Sequence, residues 1–99
     1  MPAPADLAAL AQDYRIAFLR YLPRREESAL ADGYALGRRA MANEVSLLDL
    51  VIVHHGVLAE TLDPATATEH AEVARAAGVF FTEVVAAYEM SQRRLQDGN

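Results

Sequence analysis

The chain has 99 residues, 53% of them hydrophobic, and its 14 acidic residues outweigh 9 arginines to give a net charge of −5. This length predicts one domain with one core, and the acidic balance with scattered arginines argues against a nucleic-acid partner. The lack of cysteine excludes disulfides and cysteine-ligated zinc. No signal segment opens the chain and no apolar stretch is long enough to span a membrane, so we expect a soluble cytoplasmic domain.

The first predicted helix begins near Asp6, which can cap it, and ends at Pro23. Its apolar residues recur at spacings of three and four, which is typical of a helix with one buried face. They are Leu7, Leu10, Tyr14, Ala17, Phe18 and Tyr21.

The second predicted helix runs from about Glu26 to Asn43, with acidic residues in its first turn. Gly33 and Gly37 lie in its interior, where each glycine costs about 1 kcal/mol relative to alanine. We interpret the two glycines as a place where another backbone packs closely; an open indentation is the alternative.

The third predicted helix has the clearest start. Ser46 can accept a hydrogen bond from the amide of Asp49 while Asp49 reaches back to Ser46, and Val45 can pack on Leu50 as a hydrophobic staple. The helix ends at Asp63-Pro64.

A fourth predicted helix begins at a second capping box, Thr66 with Glu69, and continues to about Leu95. Its apolar arc is wider than a simple surface helix needs. Short connections between long helices favour an antiparallel up-down-up-down arrangement, so the sequence predicts an all-α, four-helix antiparallel bundle-like domain over residues 1–99.

The third helix is apolar on nearly every side of its first three turns, and a domain of this size cannot easily enclose a helix completely. We therefore predict a homodimer formed through the third and fourth helices. The candidate dimer core is Leu48, Val51, Ile52 and Phe81.

His54 and His55 are the only residues that suggest chemistry. Neighbours on a helix point about 100° apart, so the two rings cannot hold one metal ion together. A histidine phosphotransfer domain that uses His54 or His55 is the alternative function, although no basic residue follows within a turn to hold a phosphoryl group. No nucleophile, phosphate loop or paired carboxylates stand out, so we expect no enzyme, metal or cofactor.

Four segments together resemble the N-terminal domain of RsbU-type phosphoserine phosphatases. The similarity covers residues 14–94 and is a pattern of helix-core positions rather than a catalytic motif. The segments are Tyr14 to Leu22, Glu27 to Ala42, Val45 to Leu50 with Ile52, Val53, His54 and Leu58, and Phe80 to Met90.

The resemblance implies a dimerising four-helix domain, similar to the C-terminal domain of the clock protein KaiA. It implies a regulatory module that precedes a metal-dependent serine phosphatase or another signalling domain. In this family the module receives an activating protein, such as a switch kinase of the sigma-factor partner-switching pathway in bacterial stress responses. The positions here that match the family's docking groove are Glu27, Ala31, Thr82 and Ala86.

Overall fold

A computed structural model describes residues 4–63 and 67–97, and this part of the chain forms four α-helices and no strand. The helices are α1 (Pro4–Tyr21), α2 (Glu27–Ala42), α3 (Leu47–Leu62) and α4 (Ala67–Asp97). The predicted all-α class is confirmed. Helix α4 has 31 residues and extends along most of the 48 Å long axis of the molecule. Within the described ranges, no helix is long and apolar enough to cross a bilayer.

Helix α1 starts two residues earlier than predicted. It begins at Pro4, and Asp6 lies in the first turn instead of capping the helix. Proline is favoured at the first helical position because its fixed φ suits a helix and its missing N–H would have had no partner there. At the other end the helix stops at Tyr21, before Pro23, as predicted.

The start of α3 is confirmed within one residue. The Ser46 hydroxyl accepts a hydrogen bond from the backbone amide of Asp49 at 3.0 Å, and Val45 and Leu50 are both buried. The expected return bond from the Asp49 carboxylate to Ser46 is not formed, so only half of the capping box is present. The second predicted cap, Thr66, lies outside the described residues.

A left-handed residue ends α2. Glu44 has φ 59°, and the amides of Glu44 and Val45 donate to the carbonyls of Met41 and Ala40 at 3.1 and 2.9 Å. This is the Schellman arrangement, which usually has glycine at the left-handed position. Here the buried Val45 side chain holds the turn in place instead.

Ion pairs establish that α1 and α2 are antiparallel. Asp13 near the middle of α1 pairs with Arg39 near the end of α2 at 2.8 Å. Arg20 near the end of α1 pairs with Asp32 nearer the start of α2 at 3.4 Å. The pairing therefore runs in opposite directions along the two helices.

Hydrogen bonds show the same for α3 and α4. The Tyr88 hydroxyl donates to the carbonyl oxygen of Val45, just before α3, at 2.8 Å. Nε2 of His70, near the start of α4, lies 2.8 Å from the carbonyl oxygen of Leu62 at the end of α3. Gly33 lies beside Phe80 and Gly37 beside Val84, so α2 runs parallel to α4 and therefore antiparallel to α3. Sequential helices thus alternate in direction, as in the predicted up-down-up-down arrangement.

The tightest packing lies between α2 and α4, which run parallel. A Cβ at Gly33 would lie 3.1 Å from Cε1 of Phe80, and a Cβ at Gly37 would overlap the carbonyl oxygen of Val84. At Gly37 only glycine lets the α2 backbone approach α4 this closely, and at Gly33 any larger residue would have to displace the Phe80 ring. Close packing was therefore the correct interpretation of both glycines.

Phe80 is the centre of the core. Its fully buried ring lies 5.3 Å from Tyr14, 5.7 Å from Phe18 and 5.6 Å from Tyr21, measured between ring centroids. Three aromatic residues of α1 therefore pack around Phe80, whose ring also lies against Gly33 of α2.

Candidate functional site

The outer face of α3 has four of the nine large hydrophobic side chains that are exposed among the described residues. Leu47, Leu48, Val51 and Ile52 are 46%, 69%, 41% and 60% exposed. Residues three and four positions apart share one face of a helix, so these side chains form one patch, which we call the α3 face. His55, which is also exposed, lies three positions after Ile52 at the end of this patch.

Few side chains of α3 are buried against the other helices. Leu50 and Val57 are its fully buried residues, and they lie two turns apart. A bidentate pair between Arg15 of α1 and Glu60, at 2.9 and 3.1 Å, adds a surface contact. Hydrogen bonding to Arg15 holds the pKa of the Glu60 carboxyl below its usual range.

Phe81 lies apart from the other three predicted dimer residues. It is half-buried on α4, and its ring stacks on the imidazole of His54 with centroids 4.1 Å apart and planes 12° apart. The structure therefore brings Leu48, Val51 and Ile52 together on the α3 face and places Phe81 against His54, away from that face.

His54 contacts two aromatic residues. Besides the stacking on Phe81, its Nδ1 lies 3.0 Å from the hydroxyl of Tyr14, a residue only 1% exposed. The buried phenol has no other hydrogen-bond partner among the described residues, and in the neutral tautomer with the proton on Nε2 its O–H donates to Nδ1. Burial, with a smaller effect of His55, lowers the pKa of His54.

This arrangement leaves His54 poorly placed for chemistry. Its Nδ1 accepts from Tyr14, and one ring face is covered by Phe81. His55 is exposed on the other side of the helix. Among the residues that the structure describes, no group of three histidine, aspartate or glutamate side chains could hold one metal ion.

The predicted docking residues lie along the α2 and α4 pair. Glu27, Ala31 and Thr82 are exposed, and Ala86 is half-buried. The Thr82 hydroxyl donates to the carbonyl oxygen of Gly78 at 2.7 Å, within its own helix.

The register of the two helices separates these four residues. Gly33 lies opposite Phe80 and Gly37 opposite Val84, so Glu27 is level with residue 74, eight positions before Thr82. At 1.5 Å per residue this is a separation of about 12 Å along the pair. The four residues are therefore spread along the two helices and do not form one compact pocket; we call them the docking strip.

The Tyr14–His54 contact was missed by reasoning from sequence. The spacing predicts Tyr14 on the apolar face of α1 and makes His54 a candidate reactive group, but no pattern in the sequence relates two residues 40 positions apart. A buried phenol needs a partner, yet the sequence does not say which one.

The fold and these surfaces define a small all-helical domain with an exposed apolar face on α3. The model of the family "Phosphoserine phosphatase RsbU, N-terminal domain" matches residues 12–91. The match covers most of the chain, which therefore belongs to this family. No curated protein and no solved structure matches the chain.

Membership of the family assigns the chain to a general role. The matching model is that of the N-terminal regulatory domain and not of the catalytic phosphatase domain. The general function of this chain is therefore a regulatory role connected with RsbU-type phosphatases.

Proposed function

We propose that this chain is a non-catalytic, dimeric module that binds an activating, switch-kinase-like protein and thereby controls a serine phosphatase or related signalling output. The setting is cytoplasmic partner switching in a bacterial stress or sigma-factor response. Family membership supports the regulatory part of this proposal. The single observation that supports dimerisation is the exposed α3 face.

The energetic argument for a dimer rests on Leu48, Val51 and Ile52. Burying apolar surface contributes roughly 25 cal/mol per Å², so three large side chains left in water on one face favour covering it. Gly56 follows on the same helix, and a Cβ there would meet nothing within 4 Å. The absence of a side chain at this position leaves room for a helix of a second copy to come close.

Introducing a charge on the α3 face tests the dimer. We expect the wild-type chain to have a dimer mass by light scattering at micromolar concentration, and Leu48→Asp and Ile52→Asp to be folded monomers. Leu19 on α1 is 47% exposed outside this face, so Leu19→Asp is the matched control and should remain dimeric. A wild-type monomer at these concentrations would disprove the proposal.

The strip of Glu27, Ala31, Thr82 and Ala86 is the proposed partner surface. Glu26 and Glu27 give it an acidic end, and the small side chains at Ala31, Thr82 and Ala86 avoid a steric ridge. A surface with these properties suits an apolar helix flanked by arginine or lysine.

Ala31→Arg tests this surface most cleanly because Ala31 is exposed. We expect the variant to lose binding to the cognate switch kinase in calorimetry while its melting temperature and dimer mass stay unchanged. Ala8→Arg, at an exposed position on α1, is the control and should bind normally. If Ala31→Arg binds as well as the wild type, the partner surface lies elsewhere, although the dimer proposal would stand.

A further inference from the structure

Seven of the 9 arginines lie within 4.0 Å of a carboxylate. The pairs are Arg15–Glu60, Arg20–Asp32, Arg24–Glu26, Arg25–Glu72, Arg39–Asp13, Arg75–Glu72 and Arg93–Glu89. The two that remain, Arg38 and Arg94, have no ion-pair or hydrogen-bond partner among the residues that the structure describes. In a chain of net charge −5, no carboxylate of the described residues compensates the charge of these two guanidinium groups.

Both unpaired arginines line the same groove. It has a volume of about 540 Å³ and lies between the C-terminal ends of α2 and α4. Met41 and Leu95 contribute apolar surface to its wall, and Ser91 contributes a hydroxyl. The groove therefore combines two free cations, a neutral hydrogen-bonding group and apolar surface.

We infer that this groove binds a small soluble phosphate monoester that carries an apolar group. A volume of about 540 Å³ lies within the range of small-molecule sites, about 300–1,000 Å³. A phosphate monoester has a charge of about −1.5 to −2 at neutral pH, which matches two guanidinium groups. Guanidinium groups bind phosphate oxygens through paired N–H donors, and the apolar group of the ester would cover Met41 and Leu95.

The charge distribution favours a small ligand over an extended polyanion. Arg39, the third arginine of the groove, already pairs with Asp13 at 2.8 Å. A nucleic acid or anionic membrane needs many free cations, whereas the net charge of −5 would repel either surface. Two uncompensated arginines are sufficient only for one compact anion.

Titration with 1-naphthyl phosphate, followed by its fluorescence and by calorimetry, tests the inference. We expect saturable binding with one site per chain. Inorganic phosphate lacks the apolar group and 1-naphthol lacks the charge, so each should bind at least about tenfold more weakly. Arg38→Gln and Arg94→Gln should each weaken 1-naphthyl phosphate about tenfold, the change expected when one charge-assisted hydrogen bond is lost.

Arg93→Gln is the matched control, because Arg93 is the neighbour of Arg94 but pairs with Glu89 at 2.9 Å. It should bind 1-naphthyl phosphate within about twofold of the wild type. Equal weakening by Arg93→Gln would show a general charge effect, and equal binding of 1-naphthol would show an apolar groove without an anion site. Either result overturns the inference.

Two further results would also overturn it. Arginines near helix C-termini also stabilise the helix ends. If that is the sole role of Arg38 and Arg94, Arg38→Gln and Arg94→Gln would lower the melting temperature without changing the affinity for 1-naphthyl phosphate. Binding to vesicles that contain phosphatidate, with no binding of 1-naphthyl phosphate, would assign the groove to a lipid surface. We expect no vesicle binding.

Discussion

Helices α2 and α3 have the same length, 16 residues, but opposite relations to the core. Helix α3 contains nine leucine, valine and isoleucine residues, yet only Leu50 and Val57 are fully buried. Helix α2 contains two leucines and buries four residues, two of them glycines. The helix with fewer large apolar side chains is therefore the better buried one.

The difference shows that backbone shape decided burial more than hydrophobicity did. The glycines of α2 let its backbone reach α4, and this contact occupies the surface of α4 around Phe80 and Val84. Helix α3 packs with the face that contains Leu50 and leaves Leu48 and Ile52 in water. The surplus apolar surface of α3 is therefore available to a second molecule, whereas α2 meets its partner within the chain.

The largest expected difference lies between two leucines of α3. Leu50→Ala removes a side chain that is 0% exposed and should lower the free energy of unfolding by about 2–5 kcal/mol. Leu48 is 69% exposed, so Leu48→Ala should change it by no more than about 0.5 kcal/mol in the monomer. Urea denaturation at two protein concentrations measures both, because only a loss of dimer contacts depends on concentration. Similar losses in dilute solution would contradict the exposure of the α3 face.

Two glycines give the next largest contrast. Gly37→Ala places a Cβ against the Val84 carbonyl and should cost about 1–3 kcal/mol, since α2 and α4 must move apart. Gly56→Ala meets nothing within 4 Å and should stabilise the monomer by about 1 kcal/mol through helix propensity. Thermal unfolding measures both. A stabilised Gly37→Ala variant would be incompatible with the close approach of the two helices.

A smaller effect is expected at the turn that joins α2 to α3. Glu44 has φ 59°, which costs a residue with a Cβ roughly 1 kcal/mol and costs glycine little. Glu44→Gly should therefore be about 1 kcal/mol more stable than Glu44→Ala in urea denaturation. The alanine variant is the control because it also lacks the glutamate side chain but keeps the Cβ. No difference between the two variants would mean that the turn is not left-handed.

The least pronounced change concerns the pH dependence of α3 packing. Burial lowers the pKa of His54 in the folded chain. Below about pH 6.5 the His54 imidazole is therefore protonated more readily in the unfolded chain than in the folded chain. Stability should therefore fall as the pH falls from 7.5 to 5.5. His54→Gln can still accept from Tyr14 and should lose part of this pH dependence.

His55→Gln is the control for this measurement. It removes the smaller influence on His54 but leaves the burial, so most of the pH dependence should remain. Unfolding midpoints at a series of pH values compare the three proteins. Identical pH profiles for the wild type and His54→Gln would show that His54 titrates alike in the folded and unfolded chains.

Local signals explain why the helices could be predicted. Ser46 before an apolar run, Pro23 after one, and the three- and four-residue spacing around Tyr14 each act within a few residues, and the structure confirms each of them. The start of α1 was less accurate because Pro4 and Asp6 compete as start signals within the same turn. The docking strip was predicted from the resemblance. That its members are spread along α2 and α4 could not be foreseen, because no sequence signal specifies how the two helices align.

The four helices, their alternating direction and the excess of apolar surface on α3 follow from the sequence, because capping, propensity and periodicity are local properties of the chain. The packing of the helices then set which face of α3 stays exposed, brought His54 to Tyr14 and Phe81, and left Arg38 and Arg94 without partners in the described residues. Those outcomes depend on the relative rotation and register of helices far apart in sequence. Rotation and register follow from how closely backbones can pack, here at Gly37, and no local pattern records that distance.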